Sequence, residues 1–423
     1  MRRTKYHINK SALFSPIQIA WTPPIHLTPG LLINCGFCGF SVSKVLNLFT
    51  STRHQYLSDK LQAPNTPPSG PTGGEAGRAP AAPLDRRFCA APMMDWSDRH
   101  CRVFWRQLTK RAVFYTEMVT TGALLHGDVR RHLDYSEEEH PLALQVGGNE
   151  PDALATAAKL AEQWQYREIN LNCGCPSDRV QNGFFGACLM TRPGMVADGV
   201  KAMKDATALP VTVKHRIGVD DQEGYGPLRD FVGAVADAGS DAVIVHARKA
   251  WLKGLSPKEN REIPPLNYPM VYRLKNDFPE LEVIINGGIE DVRAGLNHLS
   301  HVDGIMLGRS AYHTPWVLAD VDQQIYGGAS PVTDRLDAIR GLYDYIEKEL
   351  TAGTRLHHIT RHTLGLFNGL GGAKQFRRHL SQHAHRDDAG IETLENALSF
   401  IEAARERAAQ RRAETESLGQ LSA

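Results

Sequence analysis

A chain of 423 residues is long enough for a barrel of about 250 residues together with a second, smaller domain. Apolar residues make up 42% of the chain and charged residues 22%, which excludes a protein that is disordered throughout. The formal net charge of +1 means that a polyanionic partner must be held by a local basic surface and not by the overall charge. Seven irregularly spaced cysteines and no apolar run long enough to span a membrane predict a cytoplasmic protein without disulfides.

Residues 1–84 differ in composition from the rest of the chain. No Asp or Glu occurs before Asp59, and a segment rich in Pro, Gly and Ala runs from Ala63 to Pro83. Such a segment buries too little apolar surface to offset the entropy lost on ordering, so we predict a disordered extension. Two origins remain open for the segment before it: a wrongly assigned start codon, with the protein beginning near Arg86, or an organelle transit peptide.

After Arg86, eight β-rich apolar runs alternate with helical patterns such as Pro151–Trp164 and Arg229–Ala238. Alternation of this kind is typical of βαβ units and a parallel sheet. Eight runs favour a closed (β/α)₈ TIM barrel, over residues 85–328, rather than an open doubly wound sheet. The runs are Phe88–Met93, Val113–Thr121, Pro141–Gly148, Glu168–Gly174, Val211–Ile217, Ala242–Arg248, Glu282–Ile289 and Gly304–Tyr312.

Beyond about Thr333 the β-rich runs stop. Asp334–Leu350 and Glu392–Ala413 have helical periodicity. We therefore predict a C-terminal helical domain over residues 329–415, followed by a flexible tail over residues 416–423.

Between those two helical patterns lies a short basic segment. Lys374, Arg377 and Arg378 are spaced i, i+3 and i+4, so a helix would place them on one face. Charge alone does not decide whether this face is simply solvated or binds an anionic partner.

In TIM barrels the catalytic groups lie at the carboxyl ends of the strands. Asn170 and Asn172 point to one side of the fourth run, and Cys175 follows it on a Gly-Cys-Pro turn. A thiol displayed there can act as a nucleophile, a metal ligand or a proton donor. Lys214 and His246 occupy equivalent positions near the ends of the next two runs, where they suit an anionic ligand.

The last two runs contain glycine-rich turns near their carboxyl ends, at residues 286–288 and 308–309. Because glycine has no side chain, the backbone amides of these turns are accessible to phosphate oxygens, which predicts a phosphate-binding site. An isomerase acting on a sugar phosphate would show the same feature, so these turns leave the ligand open.

Together these motifs resemble the tRNA-dihydrouridine synthase family, and its A subfamily, over about residues 86–415. The resemblance implies an FMN-binding barrel, NADPH as the reductant, a helical domain that grips tRNA, and reduction of D-loop uridines 20 and 20a to dihydrouridine. We also expect a monomer without a metal site. The matching segments are APMMDWSDRHCR, LQVGG, LNCGCPSDRVQNGFFGACLM, VKHRIG, VHAR, INGGI, LGR and GLFNGLGGAKQFRRHLS.

The same resemblance implies a role for individual residues. Cys175 would give a proton to C5 of the uracil after hydride reaches C6 from the flavin, and Asn172 would contact the target uridine. Four basic residues would orient the tRNA: Lys258, Arg261, Lys374 and Arg377. FMN would be held by Ala91, Pro92, Met93, Gln145, Lys214, His246, Asn286, Gly287, Gly288, Gly308 and Arg309.

Two alternatives remain open at this stage. The first is an FMN barrel oxidoreductase acting on a free pyrimidine, of the dihydroorotate dehydrogenase kind, which would not need a basic helical domain. The second is a tRNA-binding or chaperone protein with a degenerate barrel, which would carry no flavin.

Overall fold

The computed structural model describes residues 83–421, without the side chains of residue 179 and residues 418–421. All described residues belong to one compact unit. The predicted N-terminal extension, apart from residues 83 and 84, lies outside them, as does the question of its origin. None of the helices among the described residues is both long and apolar enough to cross a membrane.

Parallel strands close into a barrel, which confirms the predicted TIM barrel. The strand order is β2–β1–β9–β8–β7–β6–β5–β4–β3, and β2 also pairs with β4, so that β2 and β3 together form one of eight sides. The strands are β1 (Phe88–Ala90), β2 (Val113–Tyr115), β3 (Val119–Thr120), β4 (Leu142–Gly147), β5 (Glu168–Cys173), β6 (Val211–Arg216), β7 (Ala242–His246), β8 (Glu282–Asn286) and β9 (Gly304–Leu307).

Helices connect the strands and continue beyond the last one. The barrel part contains α1 (Arg99–Leu108), α2 (Thr121–His126), α3 (Val129–Leu133), α4 (Pro151–Gln163), α5 (Asp178–Asn182), α6 (Pro193–Ala206), α7 (Gly226–Asp237), α8 (Tyr268–Asp277), α9 (Val292–Leu296), α10 (Arg309–His313) and α11 (Val321–Gln324). The C-terminal part contains α12 (Arg335–Arg340), α13 (Tyr343–Thr351), α14 (Leu356–Thr360), α15 (Ala373–His383) and α16 (Ile391–Leu421). Short 3₁₀ helices span Glu137–Glu139, Gly186–Thr191, Glu259–Arg261 and Pro315–Asp320.

The barrel helices are amphipathic and cover the outside of the sheet. Helix α4 begins at Pro151, whose fixed φ suits the first turn of a helix, and buries Leu154 and Ala158. It packs against α6, which buries Val196 and Val200 at helical spacing. The strands are buried almost throughout, as expected for a parallel sheet covered by helices.

Several predicted elements have other bounds in the structure, and two of them show why. The run Gly304–Tyr312 is a strand only as far as Leu307, after which Gly308 turns the chain into α10. The predicted helix Asp334–Leu350 is divided into α12 and α13 at Gly341. A Cβ at Gly341 would lie 2.6 Å from Oε1 of Gln107, so the break allows a close approach to α1.

The C-terminal helices place the basic segment as predicted. Lys374, Arg377 and Arg378 all lie on α15, which confirms a helix there. Helix α16 is longer than its predicted counterpart, because it extends through residues 416–421, which the sequence predicts to be a flexible tail. The structure places those residues in the helix.

Candidate active site

A cavity of about 1100 Å³ opens at the carboxyl ends of the strands, where the fold predicts a site. Every residue predicted to hold the flavin lines it, together with Asn172, Cys175 and Arg261. Lys258, Lys374 and Arg377 do not line it. The structure therefore brings the predicted cofactor residues and the predicted thiol into one space, with most of the predicted tRNA residues outside.

A chain of hydrogen bonds fixes the polar side chains on the cavity floor. Nδ2 of Asn172 donates to Oε1 of Gln145 (2.9 Å), and Nε2 of Gln145 donates to Oδ1 of Asn170 (2.8 Å). Asn170 continues the chain to the hydroxyl of Thr212 (2.8 Å), which donates to the buried carboxylate of Glu168 (2.5 Å). Each amide is therefore held in one orientation, and Asn170 is fully buried within the barrel rather than open to a ligand.

The turn that carries Cys175 is anchored from two strands. Oδ1 of Asn172 accepts hydrogen bonds from the backbone N–H groups of Gly174 and Cys175, each at 3.1 Å. Nε of Arg216 donates to the carbonyl of Gly174 at 3.0 Å. The half-buried thiol of Cys175 lies 3.4 Å from the hydroxyl of Ser177 and faces the cavity. A thiol held in this way has a defined position for proton transfer.

Positive charge is concentrated next to this turn. Burial, with repulsion from Arg216 and Arg261, lowers the pKa of Lys214 to about 8. Burial and the neighbouring Arg261 lower the pKa of Arg216 to about 10. Among the described residues, no carboxylate forms an ion pair with Lys214 or Arg216 within 4.0 Å. An anionic ligand would relieve this repulsion, as a phosphate or a negatively charged ring does.

His246 belongs to the same cationic surroundings but is neutral near pH 7. Burial, followed by the charges of Arg216 and Lys214, holds the pKa of His246 well below its ordinary value. A neutral imidazole can donate one hydrogen bond and accept another.

The glycine turn after β8 lies against the cavity. Gly287 and Gly288 have φ of 107° and 72°, which a residue with a side chain rarely adopts. A Cβ at Gly287 would lie 2.4 Å from Cδ2 of His246, and one at Gly288 would lie 2.5 Å from Cδ1 of Leu266. Both positions therefore require glycine, and this cradle fits the phosphate-binding turn predicted from the sequence.

Arg309 lines the cavity, but its charge is already paired. Nη1 of Arg309 lies 2.5 Å from Oε1 of Glu262, and both side chains are partly exposed. If Arg309 binds the phosphate as predicted, its guanidinium must either release Glu262 or bind Glu262 and the phosphate together.

The predicted tRNA residues differ in their surroundings. Lys258 and Lys374 are exposed, whereas Nη1 of Arg377 donates to Oδ1 of Asn368 at 2.7 Å. Asn368 in turn donates to the backbone carbonyl of His313 (2.7 Å), and His313 lines the cavity. Two hydrogen bonds thus connect Arg377, through Asn368, to a residue that lines the cavity. The i, i+3, i+4 spacing in the sequence does not predict this connection.

Sequence reasoning missed several lining residues. Arg216 could have been found, because it lies two residues after Lys214 on the same strand and so points to the same side. Trp316 and Arg335 gave no signal, because a tryptophan next to a proline and a lone arginine are ordinary features of a globular protein.

Comparisons with known proteins agree with this geometry. A family model described as dihydrouridine synthase matches residues 89–404. This chain belongs to the dihydrouridine synthase family. Members of that family reduce uridine in tRNA to dihydrouridine, so the chain is a flavin-dependent oxidoreductase of this kind, and the resemblance seen in the sequence is confirmed.

Similar proteins cover most of the chain. It is 57% identical to a tRNA-dihydrouridine(20/20a) synthase of Yersinia pestis over 323 residues, which are 76% of this chain and 93% of that protein. The synthase of the same name from Escherichia coli K12 is 58% identical over 74% of this chain and 91% of its own length. The one from Vibrio parahaemolyticus is 56% identical over 74% and 97%.

Proposed function

We propose that this synthase reduces uridines 20 and 20a in the D-loop of tRNA, with FMN as its cofactor and NADPH as its reductant. The positions follow the names of the similar proteins from Yersinia pestis and Escherichia coli. The observation that carries the proposal is one cavity that holds a strand-end thiol, Cys175, together with Lys214 and the glycine cradle at residues 287–288.

The residues of the cavity fit FMN. The cradle of Gly287 and Gly288 offers backbone amides to a phosphate where a side chain would not fit. Lys214 has no carboxylate partner among the described residues, so it is free to face an anionic ring. Gln145 has one amide hydrogen left for a ring carbonyl or nitrogen after its bond to Asn170. When bound, FMN would supply the hydride that adds to C6 of the uracil.

Cys175 then has the role of proton donor. Hydride addition at C6 leaves negative charge at C5 and O4, and the thiol transfers its proton to C5. Asn172 keeps one amide hydrogen after its bond to Gln145 and can donate it to a uracil carbonyl. A positioned proton donor accelerates such a step by about 10²–10⁴.

The target base must leave its stack to enter the cavity, at a cost of a few kcal/mol. Contacts between tRNA phosphates and Lys258, Arg261, Lys374 and Arg377 would offset that cost. The five described cysteines are free thiols, which fits work in a reducing compartment such as the cytoplasm. We expect the enzyme to act as a monomer.

Replacement of Cys175 tests the proposal. Cys175→Ala should retain bound flavin and its reduction by NADPH, while dihydrouridine formation falls by about 10²–10⁴. The matched control is Cys188→Ala, because this cysteine lies in the same sequence block but does not line the cavity, and it should form product at a rate close to that of the unchanged protein. Dihydrouridine at positions 20 and 20a is measured by mass spectrometry of tRNA digests. Normal product formation by Cys175→Ala would refute the role of the thiol, and turnover of free uridine monophosphate or orotate would favour the free-pyrimidine alternative.

A further inference from the structure

The cavity extends past the strand ends to a second wall. This wall consists of Trp316 and Val317 from the 3₁₀ helix after α10, Asp320 at its end, and Arg335 from α12; we call it the outer end. Small-molecule pockets usually measure about 300–1000 Å³. A cavity of about 1100 Å³ therefore has room for more than one flavin nucleotide. None of the predicted site residues belongs to the outer end.

Arg335 is fixed in position at the outer end. Its guanidinium carbon lies 5.1 Å from the centre of the Trp316 ring, and Nη1 donates to the backbone carbonyl of residue 366 at 2.8 Å. The neighbouring Asp334 is bound instead by Arg405, at 2.7 and 2.9 Å. Within residues 83–421, Arg335 has no ion pair with a carboxylate. Its positive charge is therefore available to an anion that enters the cavity.

The chemistry of the outer end matches an adenosine phosphate. An indole and a guanidinium plane offer stacking surfaces to a purine, and a fixed arginine binds phosphate through two parallel hydrogen bonds. In dinucleotide sites an acidic residue binds the ribose 2′-hydroxyl of NADH, whereas an arginine accommodates the 2′-phosphate of NADPH. Arg335 supplies such an arginine at this wall.

We propose that the outer end binds the adenosine half of NADPH, with Arg335 at its 2′-phosphate and Trp316 beside its adenine. This inference rests on the proposed function, because it assigns a place to the reductant of that reaction. A dinucleotide fits better than an RNA segment, because the outer end belongs to the same continuous cavity as Cys175 and the glycine cradle, and NADPH carries its adenosine phosphate and its reacting nicotinamide in one molecule. The consequence is selectivity: Arg335 favours NADPH over NADH.

The test uses the flavin-loaded full chain and two probes that contain no nicotinamide. Adenosine 2′,5′-bisphosphate carries the 2′-phosphate and adenosine 5′-monophosphate lacks it, and both are titrated by calorimetry. Arg335→Gln should weaken binding of the bisphosphate about 10-fold or more and binding of the monophosphate less than threefold. Trp316→Ala should weaken both. Arg340→Gln is the matched control, because Arg340 lies on the same helix, pairs with Glu402 and does not line the cavity.

A second measurement follows reduction of the bound flavin in the absence of tRNA. Arg335→Gln should raise the NADPH concentration for half-maximal reduction about 10-fold and leave that for NADH nearly unchanged, with the same limiting rate. Equal bisphosphate affinity in Arg335→Gln and the unchanged protein would overturn the inference, and so would a loss of tRNA binding alone, which would place Arg335 on the RNA. Failure of the proposed function would give a different result, because the protein without any substitution would then form no dihydrouridine in tRNA.

Discussion

The side-chain amide of Asn172 donates to Oε1 of Gln145 over 2.9 Å, while its own oxygen accepts the N–H groups of Gly174 and Cys175. One buried side chain therefore connects a residue predicted to hold the flavin to the turn that presents the thiol. The relative position of these two groups depends on a single amide whose orientation is fixed on both sides.

Removing that amide should affect both stability and turnover. Asn172→Ala leaves the Gly174 and Cys175 N–H groups and Oε1 of Gln145 without their partner, and a missing hydrogen bond of this type costs about 0.5–1.5 kcal/mol. We expect the free energy of unfolding to fall by about 1–3 kcal/mol and the rate of dihydrouridine formation to fall tenfold or more. The control is Asn182→Ala, an exposed asparagine at the end of α5 outside the cavity. An Asn172→Ala enzyme with an unchanged rate would show that the turn holds its shape without the amide.

Adding a side chain to the glycine cradle should release the flavin. At Gly288 the φ of 72° and the 2.5 Å approach of Leu266 both oppose a Cβ. Gly288→Ala is therefore expected to purify with much less bound flavin, measured by absorbance near 450 nm, and to unfold more easily by about 1 kcal/mol or more. Gly194→Ala is the opposite case, because no atom beyond its chain neighbours and its own helix lies within 4 Å of its Cβ position, and alanine is favoured over glycine in a helix by about 0.5–1 kcal/mol. Full flavin content in Gly288→Ala would argue against a phosphate at this turn.

The sequence predicts the barrel well for a physical reason. Parallel strands covered on both faces appear as apolar runs, and polar residues such as Cys175 and Lys214 stand out where the runs end. The outer end of the cavity could not be predicted, because Trp316 and Arg335 meet only when α12 packs against α1 in the folded protein. For the same reason, the spacing that places Arg377 on a helix face does not show its bond to Asn368, which is a tertiary contact.

The lowered pKa of Lys214 predicts how stability depends on pH in the flavin-free protein. The folded pKa of about 8 lies below the ordinary value of 10.5, so between these two pH values the unfolded chain binds more protons than the folded one. Stability contributed by this group is therefore lowest below pH 8 and rises as the pH increases towards 10.5. Lys214→Met lacks this titration. We expect the variant to gain stability over the unchanged protein at pH 7 and to lose part of that advantage at pH 10, as measured by urea unfolding.

Flavin binding should show the opposite trend with pH. The charged ammonium of Lys214 attracts an anionic ligand, so the affinity for FMN should fall as the pH rises through the region above 8, where the free protein loses this proton. Fluorescence titration of FMN at pH 7 and pH 9 measures the change, and Lys214→Met should bind more weakly with little dependence on pH. The same decrease in both proteins would assign the effect to another group.

The two residues of α15 that are predicted to orient tRNA, Lys374 and Arg377, should behave differently when their charge is reversed. Lys374 is exposed, so Lys374→Glu should weaken tRNA binding and reduce the slope of log affinity against log salt by about 0.7–0.9 for each phosphate that the protein no longer neutralises, without change in flavin content. Arg377→Glu should weaken binding as well, but it also releases Asn368 from its bond, and Asn368 holds the carbonyl of His313 at the cavity edge. The rate of dihydrouridine formation by Arg377→Glu at saturating tRNA should therefore also fall.

The control for this pair is Lys201→Glu, the same charge reversal at an exposed lysine on α6, on the outside of the barrel. It should leave the salt slope unchanged, because the slope depends on the phosphates that the protein neutralises and not on its net charge. If Lys374→Glu gives the same slope as Lys201→Glu, Lys374 does not neutralise a phosphate of the RNA. If Arg377→Glu lowers affinity with a normal saturated rate, its bond to Asn368 has no influence on the site, and Arg377 acts only through its charge.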